Sequence, residues 1–164
     1  MAEIHGTGLK ELGQFLDTLP EKLRKNVVRG ALRKGMNEVK PAAQQGVHSI
    51  SGLLAAGLKV GTRAKGGTVY ATLKATGKHG YVARWVEYGT AAHTITAKDR
   101  KALSLGGVLF QSVQHPGARP KPFMRVALDT QASRAVVAAA EYMRERLKTK
   151  HGLDTADIVF DSDE

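Results

Sequence analysis

Leu9, Leu12, Leu16 and Leu19 recur at steps of three and four residues, so residues 7–19 read as a short amphipathic helix capped by Thr7 or Gly8. Pro20 interrupts the pattern and suits the first position of a second helix. That helix carries Leu23, Val27, Ala31, Val39, Ala43 and Val47 on one stripe. Lys22, Arg24, Lys25, Arg29, Arg33 and Lys34 surround its early turns. Gly30, Gly35 and Pro41 weaken it and predict a kink near residues 37–41. Continuous to His48, it would be about 40 Å long. Two uses fit its face: packing against a neighbouring subunit or nucleic acid, or packing on the core with a solvated basic side.

The period then changes. Ser49–Lys78 contains two strand-like runs, Leu58–Arg63 and Thr68–Lys74, joined by a hairpin turn at Ala64-Lys-Gly-Gly67, with Gly52 and Gly57 as further turn signals. Gly61–Gly67 is superficially a phosphate loop. However, Gly67 stands where that motif needs Lys after its second glycine, before Thr68, so the reading fails. Tyr81-Val-Ala-Arg-Trp-Val-Glu-Tyr-Gly-Thr90 is dense in aromatic and apolar residues. Trp85 and Tyr88 should anchor the core or an interface, and Gly89 suits a positive-φ stop. Glu87, among apolar neighbours, needs a partner if buried, and a nearby arginine is the natural candidate. Residues 91–112 look loop-like, with a short strand at His93–Thr96 and an exposed charged piece at Lys98–Lys101. A strand over Gly106–Val113 then leads out of the loop.

Next comes His115-Pro-Gly-Ala-Arg-Pro-Lys-Pro-Phe-Met-Arg-Val-Ala-Leu-Asp129. Pro116, Pro120 and Pro122 each fix φ, lack an N–H and extend the residue before them, so this is a stiff extended arm. From Phe123 the chain becomes alanine-rich and proline-free, and Pro122 suits a helix's first turn. The helix should run to Lys150 with a stripe of Ala127, Leu128, Ala132, Ala135, Val136, Ala139, Tyr142, Met143 and Leu147. Lys148 and Lys150 complement its C-terminal dipole, and Gly152 ends it. The expected fold is α+β: long helices packed on a small, mainly antiparallel sheet, with an extended proline-rich arm and a long loop. Residues 1–150 form one domain and residues 151–164 an acidic C-terminal tail.

Charge sharpens this division. The net charge is +10, yet residues 151–164 hold five acids and no Lys or Arg, leaving 25 bases against 10 acids, or +15, in residues 1–150. A body this basic fits an anionic partner, nucleic acid or an acidic protein surface, although plain solubility charge explains it equally well. In the tail, Ile158, Val159 and Phe160 form a small apolar knot, either part of a disordered tail or a peptide that docks on a basic neighbour. There is no cysteine, hence no disulfide, thiolate metal site or thiol nucleophile, which fits a reducing compartment. No apolar run reaches membrane-spanning length, and the first residues show no signal-peptide pattern.

The chemistry-bearing residues are scattered. His5, His48, His79, His93, His115 and His151 show no i, i+4 zinc spacing, and no nucleophile-elbow pattern is present. A hydrolase using Glu87 and His115 is the least supported class, because no second acid accompanies Glu87. Few aromatics flank the basic segments, which disfavours a base-stacking platform. No cofactor is expected.

Taken together and in order, Tyr81–Thr90 and His115–Asp129 resemble the neck and tail-completion family of tailed bacteriophages. The shared pattern is an aromatic run ending Glu-aromatic-Gly-Thr, a variable loop and strand, His-Pro-Gly, then Pro-Phe-Met-Arg opening a helix. Gly8-Leu-Lys-Glu-Leu12 and Ser51-Gly-Leu-Leu54 also fit, so the resemblance covers about residues 7–148. Val126 departs from it where many relatives carry proline, and the acidic tail lies outside it.

The resemblance implies a structural virion protein, not an enzyme, at the head–tail joint or completing the head-proximal end of the tail. It implies a ring homo-oligomer, a hexamer, around the DNA channel. Its neighbours would be head-closure or connector proteins and tail terminator or tail-tube proteins, with non-specific contact to channel DNA and no membrane. Assembly would occur in the host cytoplasm. The interface candidates are Trp85, Glu87, Tyr88, Gly89, Thr90, His115, Pro116, Gly117, Arg119, Pro120, Pro122, Phe123 and Arg125, with Ile158, Val159 and Phe160 for tail docking. The alternative is a basic nucleic-acid-binding module without a virion role, whose DNA affinity would depend steeply on salt.

Overall fold

Two long helices set the frame. The computed structural model describes residues 9–48, 51–97 and 102–152. Helix α1 (Leu9–Asp17) leads through Pro20 into α2 (Glu21–His48), which stays helical through residues 37–41 despite Pro41. The last helix, α5 (Phe123–His151), runs antiparallel to α2: Phe123 lies beside Gly46, Ala135 beside Gly35 and Tyr142 beside Gly30. The glycines that weaken α2 as an isolated helix are therefore places where α5 comes close. A Cβ on Gly35 would lie 2.4 Å from the Ala135 carbonyl oxygen, so the small side chain is a packing requirement.

The expected stripes largely face this seam. Leu12 and Leu16 of α1 pack with Val27 of α2 and with Ala140 and Leu147 of α5. At the opposite end, Val39, Ala43 and Val47 pack with Phe123 and Ala127. Leu128, expected in the α5 stripe, is instead 48% exposed; Phe123 and Ala127 take the buried positions of that turn. Leu147 is fully buried, so Leu147→Ala should cost about 2–5 kcal/mol in urea unfolding.

After α2, Ser51 caps the short helix α3 (Gly52–Ala56): its Oγ accepts from the Leu54 N–H at 3.2 Å. Strands β1 (Leu58–Lys65) and β2 (Thr68–Ala75) then pair antiparallel from Leu58↔Ala75 to Lys65↔Thr68. Their two-residue turn, Gly66-Gly67, has φ of 57° and 81°, which matches the right-handed twist of the strands. Leu58, Leu73 and Ala75 bring this ribbon onto the α2–α5 core.

Residues 81–90 form α4 (Val82–Tyr88) and its exit. The segment beyond is more ordered than a loop. Strand β3 (His93–Thr96) pairs with β6 (Ser112–His115), while β4 (Leu103–Leu105) pairs with β5 (Val108–Phe110). The single strand expected over Gly106–Val113 is thus divided: Gly106-Gly107 is a hairpin turn, and β5 and β6 have different partners. The sheet component among the described residues is three antiparallel two-stranded ribbons. The expected Thr7/Gly8 cap, the charged piece 98–101 and the acidic tail beyond Gly152 lie outside the described residues.

Candidate assembly interface

The sequence leaves the start of α5 without a local cap. Pro122 precedes the helix as its N-cap instead of joining the first turn, and its side chain accepts no hydrogen bond. The first amides of any helix lack intrahelical acceptors. Here Glu87 supplies them from 36 residues away: Oε2 accepts from the Phe123 and Met124 N–H groups, both at 2.9 Å, and Oε1 accepts from the Arg125 N–H at 3.0 Å. The carboxylate also sits at the positive end of the helix dipole. The expected arginine partner is therefore replaced by backbone amides. With both oxygens so engaged, Glu87 is a structural group holding α4 to α5.

The residues flanking this contact close it into a clasp. The Lys121 N–H donates to the Val86 carbonyl at 2.7 Å. Thr90 and Ala118 exchange backbone hydrogen bonds at 2.9 and 3.1 Å, and the Ala118 N–H also lies 3.0 Å from Thr90 Oγ1. Two glycines permit the approach. Gly89 has φ of 72°, and a Cβ there would lie 2.5 Å from the Ala118 carbonyl oxygen. Gly117 has φ of 86°, and a Cβ there would lie 2.2 Å from the Thr90 carbonyl oxygen. The proline arm is consequently pinned along the end of α4.

At the foot of the hairpin, His93 and His115 face each other across β3 and β6, with ring centroids 5.0 Å apart. His115 Nδ1 accepts from the Gly117 N–H at 3.0 Å, which steers the chain into the arm. Pro116, Arg119, Pro120, Pro122 and Arg125 are exposed. Glu87, Gly89, Thr90, Gly117 and Phe123 build the clasp. Ile158, Val159 and Phe160 lie outside the described residues.

The outer side of α4 has a different character. Tyr81, Trp85 and Tyr88 lie on one face at helical spacing and are 60%, 51% and 74% exposed. Tyr81 meets Trp85 edge-on with centroids 5.1 Å apart. These aromatics do not anchor the chain's own core. A hollow of about 590 Å³ opens beside the clasp, lined in part by Gly46, Pro122, Phe123 and Val126.

A second apolar surface was not foreseen from sequence. Leu105, Val108, Leu109 and Phe110 of the β4–β5 hairpin are all exposed, Leu109 by 70%. Its signal was Gly106-Gly107 between Leu-Ser-Leu and Val-Leu-Phe, a two-residue turn between apolar runs. Among the described residues, no group of three or more His, Cys, Asp or Glu could hold a metal ion. Among them too, no helix is long and apolar enough to cross a membrane.

Residues 10–89 match the family described as "Bacteriophage HK97-gp10, putative tail-component". This stretch of the chain is similar to the HK97-gp10-like family. The assignment supports the phage neck and tail-completion resemblance. The match takes in α1 through α4, includes Glu87 and stops at Gly89, so the proline arm and α5, which Glu87 holds, lie beyond it. No curated protein and no solved structure matches the chain. The HK97-gp10-like assignment points to a phage tail-associated structural component that works among other phage structural proteins.

Proposed function

We propose that this protein is a non-enzymatic part of the head–tail connector or of the head-proximal end of the tail, acting as a ring, a hexamer, around the DNA channel. The match to a phage tail-component family over residues 10–89 carries this reading. Two features of the molecule support it. The clasp holds the exposed Trp85/Tyr88 face on a rigid base, and the β4–β5 hairpin offers a separate apolar surface. Different patches meeting head to tail close into a ring when the rotation closes. In this reading residues 1–150 are the ring-forming domain and residues 151–164 an appended tail. The neighbours are head-closure or connector proteins and tail terminator or tail-tube proteins. The basic body faces acidic neighbours or channel DNA. Assembly takes place in the host cytoplasm and the finished protein resides in the virion.

Electron microscopy of lysates from a phage lacking the gene tests this reading. Full heads beside detached tails place the protein at the joint. Tails of abnormal length or with unfinished upper ends place it at the tail terminus. Normal infectious particles overturn it. The aromatic face has its own test: Trp85→Ser with Tyr88→Ser should leave unfolding within about 0.5 kcal/mol of the parent, since both side chains lie largely in solvent. The same double variant should fail to restore joined particles in a complementation assay.

A further inference from the structure

One basic cluster is only partly paired among the described residues. Arg29, Arg33 and Lys34 line a groove of about 420 Å³ on the outer side of the α2–α5 seam, together with Asn26, Gly30 and Tyr142. All three cations are exposed. Arg33 reaches only a hydroxyl, Thr62 Oγ1, at 3.3 Å, and Lys34 lies 3.6 Å from Glu38. Arg29 has no ion-pair partner among the described residues. By contrast, Arg24 is paired with Asp17 at 2.7 Å, and Lys25 with Glu21. Arg29 and Arg33 thus bring to the groove two positive charges without a carboxylate partner among the described residues.

The chain carries the complementary charge close by. Helix α5 ends at the left-handed Gly152, and residues 153–164 follow with Asp154, Asp157, Asp161, Asp163 and Glu164 and no Lys or Arg. Tyr142, which lines the groove, lies ten residues before Gly152 on the same helix, about 15 Å back along its axis. An extended strand covers about 3.3 Å per residue, so five residues past Gly152 suffice to return to the level of Tyr142. On chain length alone, Asp157 is within reach of Arg29, and Asp161 of Arg33 and Lys34. Exposed ion pairs are individually weak, on the order of 1 kcal/mol or less. A segment tethered at the end of the same helix, however, is held at millimolar effective concentration, which favours it over a second copy or a free polyanion in the isolated protein.

We propose that the groove formed by Arg29, Arg33, Lys34 and Tyr142 is the docking site of this chain's own acidic C-terminal segment, residues 153–164, bound in cis. The inference stands apart from the phage assignment, since it uses only charge, reach and the groove.

The absence of native cysteine permits a clean test in the full chain. A nitroxide is attached through Ser162→Cys, and amide signals are followed by NMR in dilute solution. Selective loss of intensity over residues 26–37 and around Tyr142 is expected. It should be relieved in about 1 M salt, where the screening length falls to about 3 Å. It should also be relieved by Asp157→Asn with Asp161→Asn, and by Arg29→Glu with Arg33→Glu. No selective loss, or loss that survives the Arg29→Glu/Arg33→Glu exchange, overturns the site. Loss seen only when a spin-labelled chain is mixed with a separate isotope-labelled chain overturns docking in cis and assigns the segment to a neighbouring copy.

Discussion

Glu87→Gln should lower the unfolding free energy by about 2–3 kcal/mol, and Glu87→Ala by at least as much. The carboxylate is the acceptor for three amides at the start of α5. Glutamine keeps one acceptor oxygen but turns an NH2 group towards a donor, and it removes the negative charge at the helix terminus. Alanine leaves the amides without their acceptor beside the buried Phe123. For a chain of this size the loss corresponds to a fall in Tm of about 5–10 °C. Urea unfolding of both variants measures it. A change below about 0.5 kcal/mol for both would mean that solvent caps α5 and that Glu87 is dispensable.

Gly35→Ala should also destabilise the protein, although alanine is the best helix former and glycine among the worst. The new Cβ would sit 2.4 Å from the Ala135 carbonyl oxygen, so α2 and α5 must move apart. Overpacking of this kind costs about 1–3 kcal/mol against a gain in helix propensity of about 1 kcal/mol, a net loss of up to about 2 kcal/mol. Gly13→Ala in α1 is the internal control, because nothing lies within 4 Å of its added Cβ. It should stabilise the protein by up to about 1 kcal/mol. Opposite signs for two identical substitutions in helices would identify the seam as the determinant. Equal signs would refute the close approach at Gly35.

Much of the architecture was legible because period and punctuation are strong in this chain. The Leu9–Leu19 stripe, the Gly66-Gly67 turn between alternating runs and the Lys148–Gly152 ending each correspond to an observed element. Glu87 was recognised as needing a partner, but its partner was not readable: backbone amides of a distant helix leave no side-chain signature. Pro122 offered a clue, since a helix that follows a residue with no capping side chain leaves its first amides to water or to an acceptor from elsewhere in the chain. The expected kink at residues 37–41 weighed Gly30, Gly35 and Pro41 as local defects, whereas the two glycines are long-range contacts with Ala135 and Tyr142. The exposure of Trp85 and Tyr88 was equally hidden, because an apolar run reads the same whether it faces its own core or another chain.

The pairing of α1 and α2 with the final helix has a consequence during synthesis. Leu12, Leu16 and Val27 find Ala140 and Leu147, and Val39, Ala43 and Val47 find Phe123 and Ala127. From the emergence of Val47 to that of Leu147, 100 residues must be added, which takes about 5–20 s at ordinary elongation rates. Throughout that interval the ribosome presents helices whose apolar stripes are covered only in part, by Leu54, Ala55, Leu58 and Ala83. The nascent chain therefore cannot complete its core from the amino end onward; its folding waits for the last helix to leave the exit tunnel.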